Sequence, residues 1–292
     1  MDLETFLTTI FVFCDDFLNA LGFRLRQRGP APRLSDSEVI AMELSGEFLG
    51  YDNDQAIYRY FRTHHPELFP AVVHLHRTTF ARQAANLWAV KALLWKHLLQ
   101  QTETLSTLSI VDSFPLPLCR FARAKRSRTL SDLAEWGFDA ISRHAYWGLR
   151  VHVRVTWPGT ISELQIAPAN ASDLALAPEV LAGAKGWALG DRGYWSRALR
   201  EELERAHLRL LAPYQRASQE KEPWPFWLYV KRRRIETVIG QLIERYHGKK
   251  NWARDRWHLS SRWLRKLASH TFAVLLCQQQ GLHPLQMNKL IA

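Results

Sequence analysis

From Tyr146 to Trp157 the chain reads YWGLRVHVRVTW, with Leu149, Val151, Val153 and Val155 alternating with Arg150, His152 and Arg154. Strand side chains project alternately to two faces, so this spacing predicts a strand with one apolar and one polar face. Pro158-Gly159 then marks a turn, and ISELQIAP reads as the returning strand of a hairpin. LSTLSIVDSF, upstream, reads as a strand too. Downstream follow a helix over 172–182, the short apolar strand WALGD, a helix over 196–205, the strand LRLLAPY and a helix over 231–246. The order β-β-β-α-β-α-β-α predicts a mixed α/β sheet, an antiparallel meander first and parallel crossovers after it. Residues 119–145 read as a long basic loop.

Residues 1–104 lack this alternation and predict an all-α region, leaving 105–292 as the second domain. LSDSEVIAMEL carries a capping-box start, Ser35 with Glu38 three residues on. A long helix is expected over 78–101, with Phe80, Leu87, Val90, Leu93, Leu94 and Leu98 as its apolar stripe. The basic, proline-containing stretch 26–33 reads as a linker. No internal repeat or low-complexity tract is present.

Apolar residues make up 47% of the 292, enough for a sizeable core. The net charge of +11 speaks to partners rather than fold. Its distribution is uneven: Tyr229 to Lys266 holds 12 basic against 3 acidic side chains. Trp252, Trp257 and Trp263 are interleaved there, as a surface that stacks bases and contacts phosphates would require, although at least one is expected in the core. A solvated charged face would give the same run. Cys14, Cys119 and Cys277 are too few and too scattered for a disulfide framework or a zinc set, and fit a reducing compartment. No apolar run approaches the roughly 18 residues of a membrane span, and MDLETFLTTI has no basic leader. A soluble, cytoplasmic protein with no membrane association is expected.

Within this frame Asp112 ends the run LSIV, Asp191 ends WALG, and Glu236 lies on a stretch of helical period set by Ile235, Val238, Ile239, Leu242 and Ile243. Two carboxylates at strand ends and one on a later helix can converge on a hard divalent cation, which takes oxygen ligands. Such ions in pairs stabilise the attacking and leaving oxygens of phosphoryl transfer. Blander roles stay open: Asp112 and Asp191 as turn or cap residues, and Glu236 paired with Arg232 or Arg233 on its own helix. No Gly-x-Ser-x-Gly elbow surrounds Ser113, and no Gly-x-x-x-x-Gly-Lys loop is present.

The blocks IVDSFPLPLCRFARAKRSR, YWGLRVHV, APANASD, LGDRGYW and RRRIETVIGQLIERY, in that order, resemble the bacterial insertion-sequence transposases of the DDE class. The nearest likeness is to the insertion-sequence family numbered nine-eighty-two, over roughly residues 105–280. The resemblance implies a ribonuclease H-like catalytic domain with Asp112, Asp191 and Glu236 as catalytic and metal-binding triad. It implies Mg²⁺, replaceable by Mn²⁺ and bound as two ions, and double-stranded DNA as partner, both transposon ends and target. Tyr229, Arg232 and Glu236 match the family's Tyr-x-x-Arg-x-x-x-Glu pattern. Its lysine seven residues later is here Ile243, with Arg245 nearby, and Arg150 stands where a lysine is more usual. Tyr229, Lys231, Arg232, Arg233, Arg234, Lys249, Lys250 and Arg254 are the expected DNA contacts. The helical N-terminal region is expected to recognise terminal repeats, and a homodimer or larger oligomer to join two ends. A nuclease without strand transfer and a non-catalytic DNA-binding regulator derived from a transposase are the rival readings; the intact triad weighs against the second.

Overall fold

The computed structural model describes residues 1–22, 30–214 and 224–291; positions 26–29 of the basic linker lie outside the described residues. Two units form. One holds residues 1–102, 245–247 and 252–292, the other 103–244 and 248–251.

The first unit begins with α1 (Leu3–Ala20), α2 (Asp36–Phe48), α3 (Asp54–His64), α4 (Arg77–Asn86) and α5 (Trp88–Gln101). The capping box is present: Glu38 N–H donates to Ser35 Oγ at 3.1 Å and Ser35 N–H to Glu38 Oε2 at 2.6 Å. The single helix expected over 78–101 is two, broken at Leu87, where neither proline nor glycine announces the break. Phe80, Leu87, Val90, Leu94 and Leu98 are buried, whereas Leu93 is exposed.

The second unit follows with β1 (Leu105–Pro117), β2 (Glu135–Asp139), β3 (His144–Trp157), β4 (Thr160–Pro168), α6 (Asp173–Val180), β5 (Gly186–Leu189), α7 (Arg197–Arg205), β6 (Leu208–Leu211), α8 (Phe226–Arg232) and α9 (Arg234–Glu244). The sheet runs β2-β3-β1-β5-β6, with β4 also on β3. β1, β3, β4 and β2 pair antiparallel; β1, β5 and β6 pair parallel. This is the mixed α/β architecture expected of a ribonuclease H-like domain, with one addition. Within the stretch read as a basic loop, Glu135–Asp139 pairs with the first half of β3. The chain from Lys231 to Tyr246 is also not one helix, since α8 starts at Phe226 and α9 restarts at Arg234.

Both faces of β3 are covered. Leu149, Val151, Val153 and Val155 are buried as the alternation predicts, but His152 and Arg154 on the other face are buried too. α6 packs over that second face. Beside it Val111, Ala177, Val180, Ala188, Leu199 and Leu210 form one apolar cluster under α6 and α7.

The last helix, α10 (Arg256–Gln279), returns to the first unit and packs on α5 and α2. Its buried side includes cations. Lys266 Nζ donates to Glu47 Oε2 and to the Tyr246 carbonyl, each at 2.6 Å; Arg262 reaches Asp54 at 2.9 Å. Arg265 meets Glu47, Glu43 and Asp54, and Lys91 on α5 meets Glu43 at 2.8 Å. Three of the cations in the basic stretch 229–266 thus serve inside the protein. Trp263 is core, while Trp252 and Trp257 are exposed.

Candidate active site

Asp112 lies inside β1, because the pairing of β1 with β3 continues to Pro117↔Gly148. The parallel pairing with β5 stops earlier, at Ile110↔Leu189. Asp191 follows two residues after β5 ends, at the start of the next turn, and its charge acts on Asp112, so the two carboxylates are neighbours. Each carboxylate has one oxygen fixed by a backbone N–H: Ser113 N–H donates to Asp112 Oδ1, and Gly193 N–H to Asp191 Oδ1, both at 2.8 Å. Asp191 therefore does cap the short turn Arg192–Tyr194. Capping uses one oxygen and leaves the other.

A third carboxylate enters from α6. Asp173, just after the capping Ser172, sits 3.4 Å from His152 Nδ1 and 3.8 Å from Arg150 Nε. Arg150 Nε also donates to Ser113 Oγ at 2.9 Å. Strand register explains the grouping, since Ser113↔His152 and Pro115↔Arg150 are cross-strand pairs on one face. Neither the ring nitrogens of His152 nor Asp173 Oδ1 has a well-aligned hydrogen-bond partner. The buried Tyr194 hydroxyl is likewise unpartnered.

The charges interact. Burial, partly offset by the Ser113 N–H and then reinforced by the Asp191 charge, pushes Asp112 up to about 6. Asp191 is raised as well, by burial and then by the charge of Asp173. For Asp173 burial also opposes ionisation, but His152, Ser113 and Arg150 outweigh it and hold its carboxyl below the usual range. Burial, then the charges of Asp173, Asp112 and Asp191, keep the Tyr194 phenol protonated. Arg232 favours the ionised form of both Asp112 and Asp191.

Glu236, on α9, is 54% exposed and pairs with Arg232 at 3.6 Å. α9 packs against β1. The link from Glu236 to the aspartates thus runs through Arg232. Among the expected DNA contacts, Lys231 Nζ lies 3.5 Å from the Trp157 ring centroid and Arg234 Cζ 5.1 Å from it. Tyr229 and Arg233 are exposed, and Trp224 packs beside Tyr229. Lys249 and Lys250 are exposed in the same unit; burial opposes ionisation of Asp139, but hydrogen bonds from Ser142 and Ile141, and then the Lys249 charge, outweigh it and hold the carboxyl low. Arg254 is exposed in the helical unit.

Sequence reasoning misses Asp173, His152 and Tyr194. Asp173 follows a capping serine and reads as an ordinary first-turn acid, and His152 reads as the polar face of an alternating strand. The position of Asp173 in APANASD and of Tyr194 in GDRGY is the signal that could have found them.

Gly193 packs closely against two of the carboxylates. A Cβ there would stand 2.8 Å from Asp173 Oδ2 and 3.0 Å from Asp191 Oδ1, both on carboxylates already anchored. Gly193→Ala is expected to displace one of them, and misplacement by about 1 Å can cost about 100-fold in rate. The check is the rate of the DNA cleavage that the sequence leads one to expect, beside an unchanged circular dichroism spectrum; a wild-type rate would show that the carboxylates need no fixed spacing.

No helix among the described residues is long and apolar enough to cross a membrane. A family model described as a transposase DDE domain matches residues 102–254, just over half of the chain. No curated protein and no solved structure matches.

Proposed function

The chain belongs to the transposase DDE-domain family, and from that premise we propose that it cleaves DNA at the ends of an insertion sequence and transfers the freed strands to a new site. The observation that carries the reading is the pair Asp112 and Asp191, whose charges interact, each with one oxygen anchored by a backbone N–H and the other uncommitted among the described residues.

This donor set fits a hard divalent cation. All donors are carboxylate oxygens, and the two aspartates resist ionisation in their surroundings, a cost that a bound cation would remove. No three His, Cys, Asp or Glu side chains form a ready-made cage among the described residues. Mg²⁺ is commonly held by one or two carboxylates with substrate phosphates completing its shell. Asp112, Asp191 and Glu236 would hold Mg²⁺, with Mn²⁺ as substitute. Two such ions, when bound, stabilise the attacking and departing oxygens of an in-line displacement.

The protein's own part is placement. The Ser113 and Gly193 N–H groups fix the two aspartates, and Arg232 stands beside both and beside Glu236, where a phosphate's charge would fall. Tyr229, Lys231, Arg233, Arg234, Lys249, Lys250 and Arg254 are proposed to follow the DNA backbone, which positions without reading sequence. Joining two ends calls for an oligomer. Three unpaired cysteines fit a bacterial cytoplasmic location.

Glu236→Gln is expected to lower Mg²⁺-dependent cleavage by about 100-fold or more without lowering Tm, because the side chain is largely exposed. One observation favours a second reading: the carboxylate whose charge acts on both aspartates is Asp173. Cleavage that survives Glu236→Gln but is lost in Asp173→Asn would make Asp173 the third carboxylate.

A further inference from the structure

The helical unit carries a cavity of about 620 Å³ between the starts of α3 and α4, closed on one side by Trp252 and Arg262. Its volume is that of an ordinary small-ligand site. Two smaller depressions adjoin it. One shares Gln55, Arg59 and Arg77 and runs on to Arg62; the other shares Thr78 and Ala81 and runs on to Arg82 and Trp257. The three make one groove.

Its charge is one-sided. Arg59, Arg62, Arg77 and Arg82 are exposed and none has an acidic partner among the described residues; Arg77 donates only to Gln55 Oε1, at 2.8 Å, and Arg62 only to the Tyr58 hydroxyl, at 3.1 Å. The one acid lining the cavity, Asp54, is already neutralised by Arg262 and Arg265. Exposed arginines in a row with no counter-charge attract a polyanion. The aromatic wall is fixed as well. Trp252 is 57% exposed, yet its Nε1–H donates to Asp52 Oδ2 at 3.2 Å, which holds the indole while leaving ring surface open. Cations that follow a backbone and a fixed aromatic ring are the two parts of a surface for unpaired nucleic acid.

We propose that this groove binds a DNA strand near its end, with Arg59 and Arg77 on successive phosphates and an unpaired base stacked on Trp252. The inference rests on the reading of the chain as a DNA-cleaving enzyme and adds to it a second binding surface, outside the carboxylate site, that holds DNA without reading its sequence. It differs from recognition of terminal repeats by bases in the major groove, since phosphate binding and stacking are tolerant of sequence.

The test uses the full-length protein in EDTA, so that binding is measured apart from cleavage. The probes are a fully paired duplex of about 30 base pairs, a scrambled duplex of the same length, and the first duplex with an unpaired single-stranded flap. Arg59→Ala with Arg77→Ala is expected to weaken binding to all three alike, and to make the log–log salt dependence shallower by about 0.9 for each phosphate no longer neutralised. Replacing both arginines with lysine should restore most of that slope. Trp252→Ala is expected to erase a preference for the flap of about tenfold, and Trp252→Phe to keep it. Unchanged affinity and slope in the double alanine protein, with an unchanged flap preference in Trp252→Ala, would overturn the inference while wild-type cleavage leaves the catalytic reading standing. A wild-type protein that neither binds nor cleaves any DNA would overturn both.

Discussion

Asp112→Asn and Asp191→Asn proteins are expected to lose Mg²⁺-dependent DNA cleavage by about three orders of magnitude or more, while DNA affinity measured in EDTA stays close to wild type. Several kcal/mol of charge stabilisation are at stake, and each 1.4 kcal/mol is about tenfold in rate. The same substitutions should make the metal-free protein more stable. Burial and the Asp191 charge push Asp112 up to about 6, well above the ordinary carboxylate value. The folded state therefore keeps a proton that the unfolded chain releases near pH 4, and stability falls as pH rises from about 4 to about 6. Asparagine removes that loss, so Asp112→Asn should gain on the order of 2 kcal/mol above pH 6 and nothing below pH 4. Thermal melts across this range read the difference directly. Mn²⁺ should raise the Tm of wild type, by binding the folded state alone, and leave Asp112→Asn unmoved. A Tm for Asp112→Asn equal to wild type at pH 8, or cleavage within a few-fold of it, would remove Asp112 from the proposed role.

The second large effect concerns the helical unit. Arg265 is 1% exposed, donates to Glu47 Oε1 at 2.5 Å and to the Asp52 carbonyl at 3.1 Å, and also meets Glu43 and Asp54. Arg265→Met keeps the bulk and deletes the charge. Glu43 would then rely on Lys91, Glu47 on Lys266 and Asp54 on Arg262, with the remaining oxygens buried and unsatisfied. Breaking a buried ion pair from one side costs about 3–5 kcal/mol, and here three acids lose the same partner. Urea unfolding should show a loss at the upper end of that range. Arg265→Lys should fall in between, since an ammonium cannot reproduce the guanidinium's fork of donors. A loss under about 1 kcal/mol for Arg265→Met would mean that water reaches the cluster.

The parts of this fold that are legible in the sequence are those set by local chemistry. The Ser35–Glu38 capping box, the Pro158-Gly159 turn and the buried face of Leu149, Val151, Val153 and Val155 each depend on neighbours a few residues away. What escapes depends on distant segments. The strand Glu135–Asp139 exists because β3 extends past the hairpin and offers it an edge. His152 is buried because α6 covers the face that its own alternation marks as polar. Asp112 reads as a strand end, whereas only its pairing with β5 ends near it. In the candidate site, the nearness of Asp112 and Asp191 follows from the apolar runs before them, which pair as neighbouring strands, and sequence can suggest this. The presence of Asp173 beside them follows from the packing of α6 on β3, which it cannot.

The return of α10 to the N-terminal helices sets an order on synthesis. Glu43 and Glu47 leave the ribosome more than 200 residues before Arg265 and Lys266, the cations they are buried with. Domains commonly fold from the N-terminus as they emerge. Here the sheet unit, continuous in sequence from 103 to 244, can finish first, while the helices ahead of it must wait for the end of the chain with Glu47 unmatched and Glu43 matched only by Lys91. A fragment ending near residue 102 should accordingly not fold as an independent module. A frameshift or stop codon after residue 251 would leave every member of the proposed carboxylate site in place and still disarm the protein, by removing the C-terminal segment of the helical unit on which Glu43, Glu47 and the arginine groove depend.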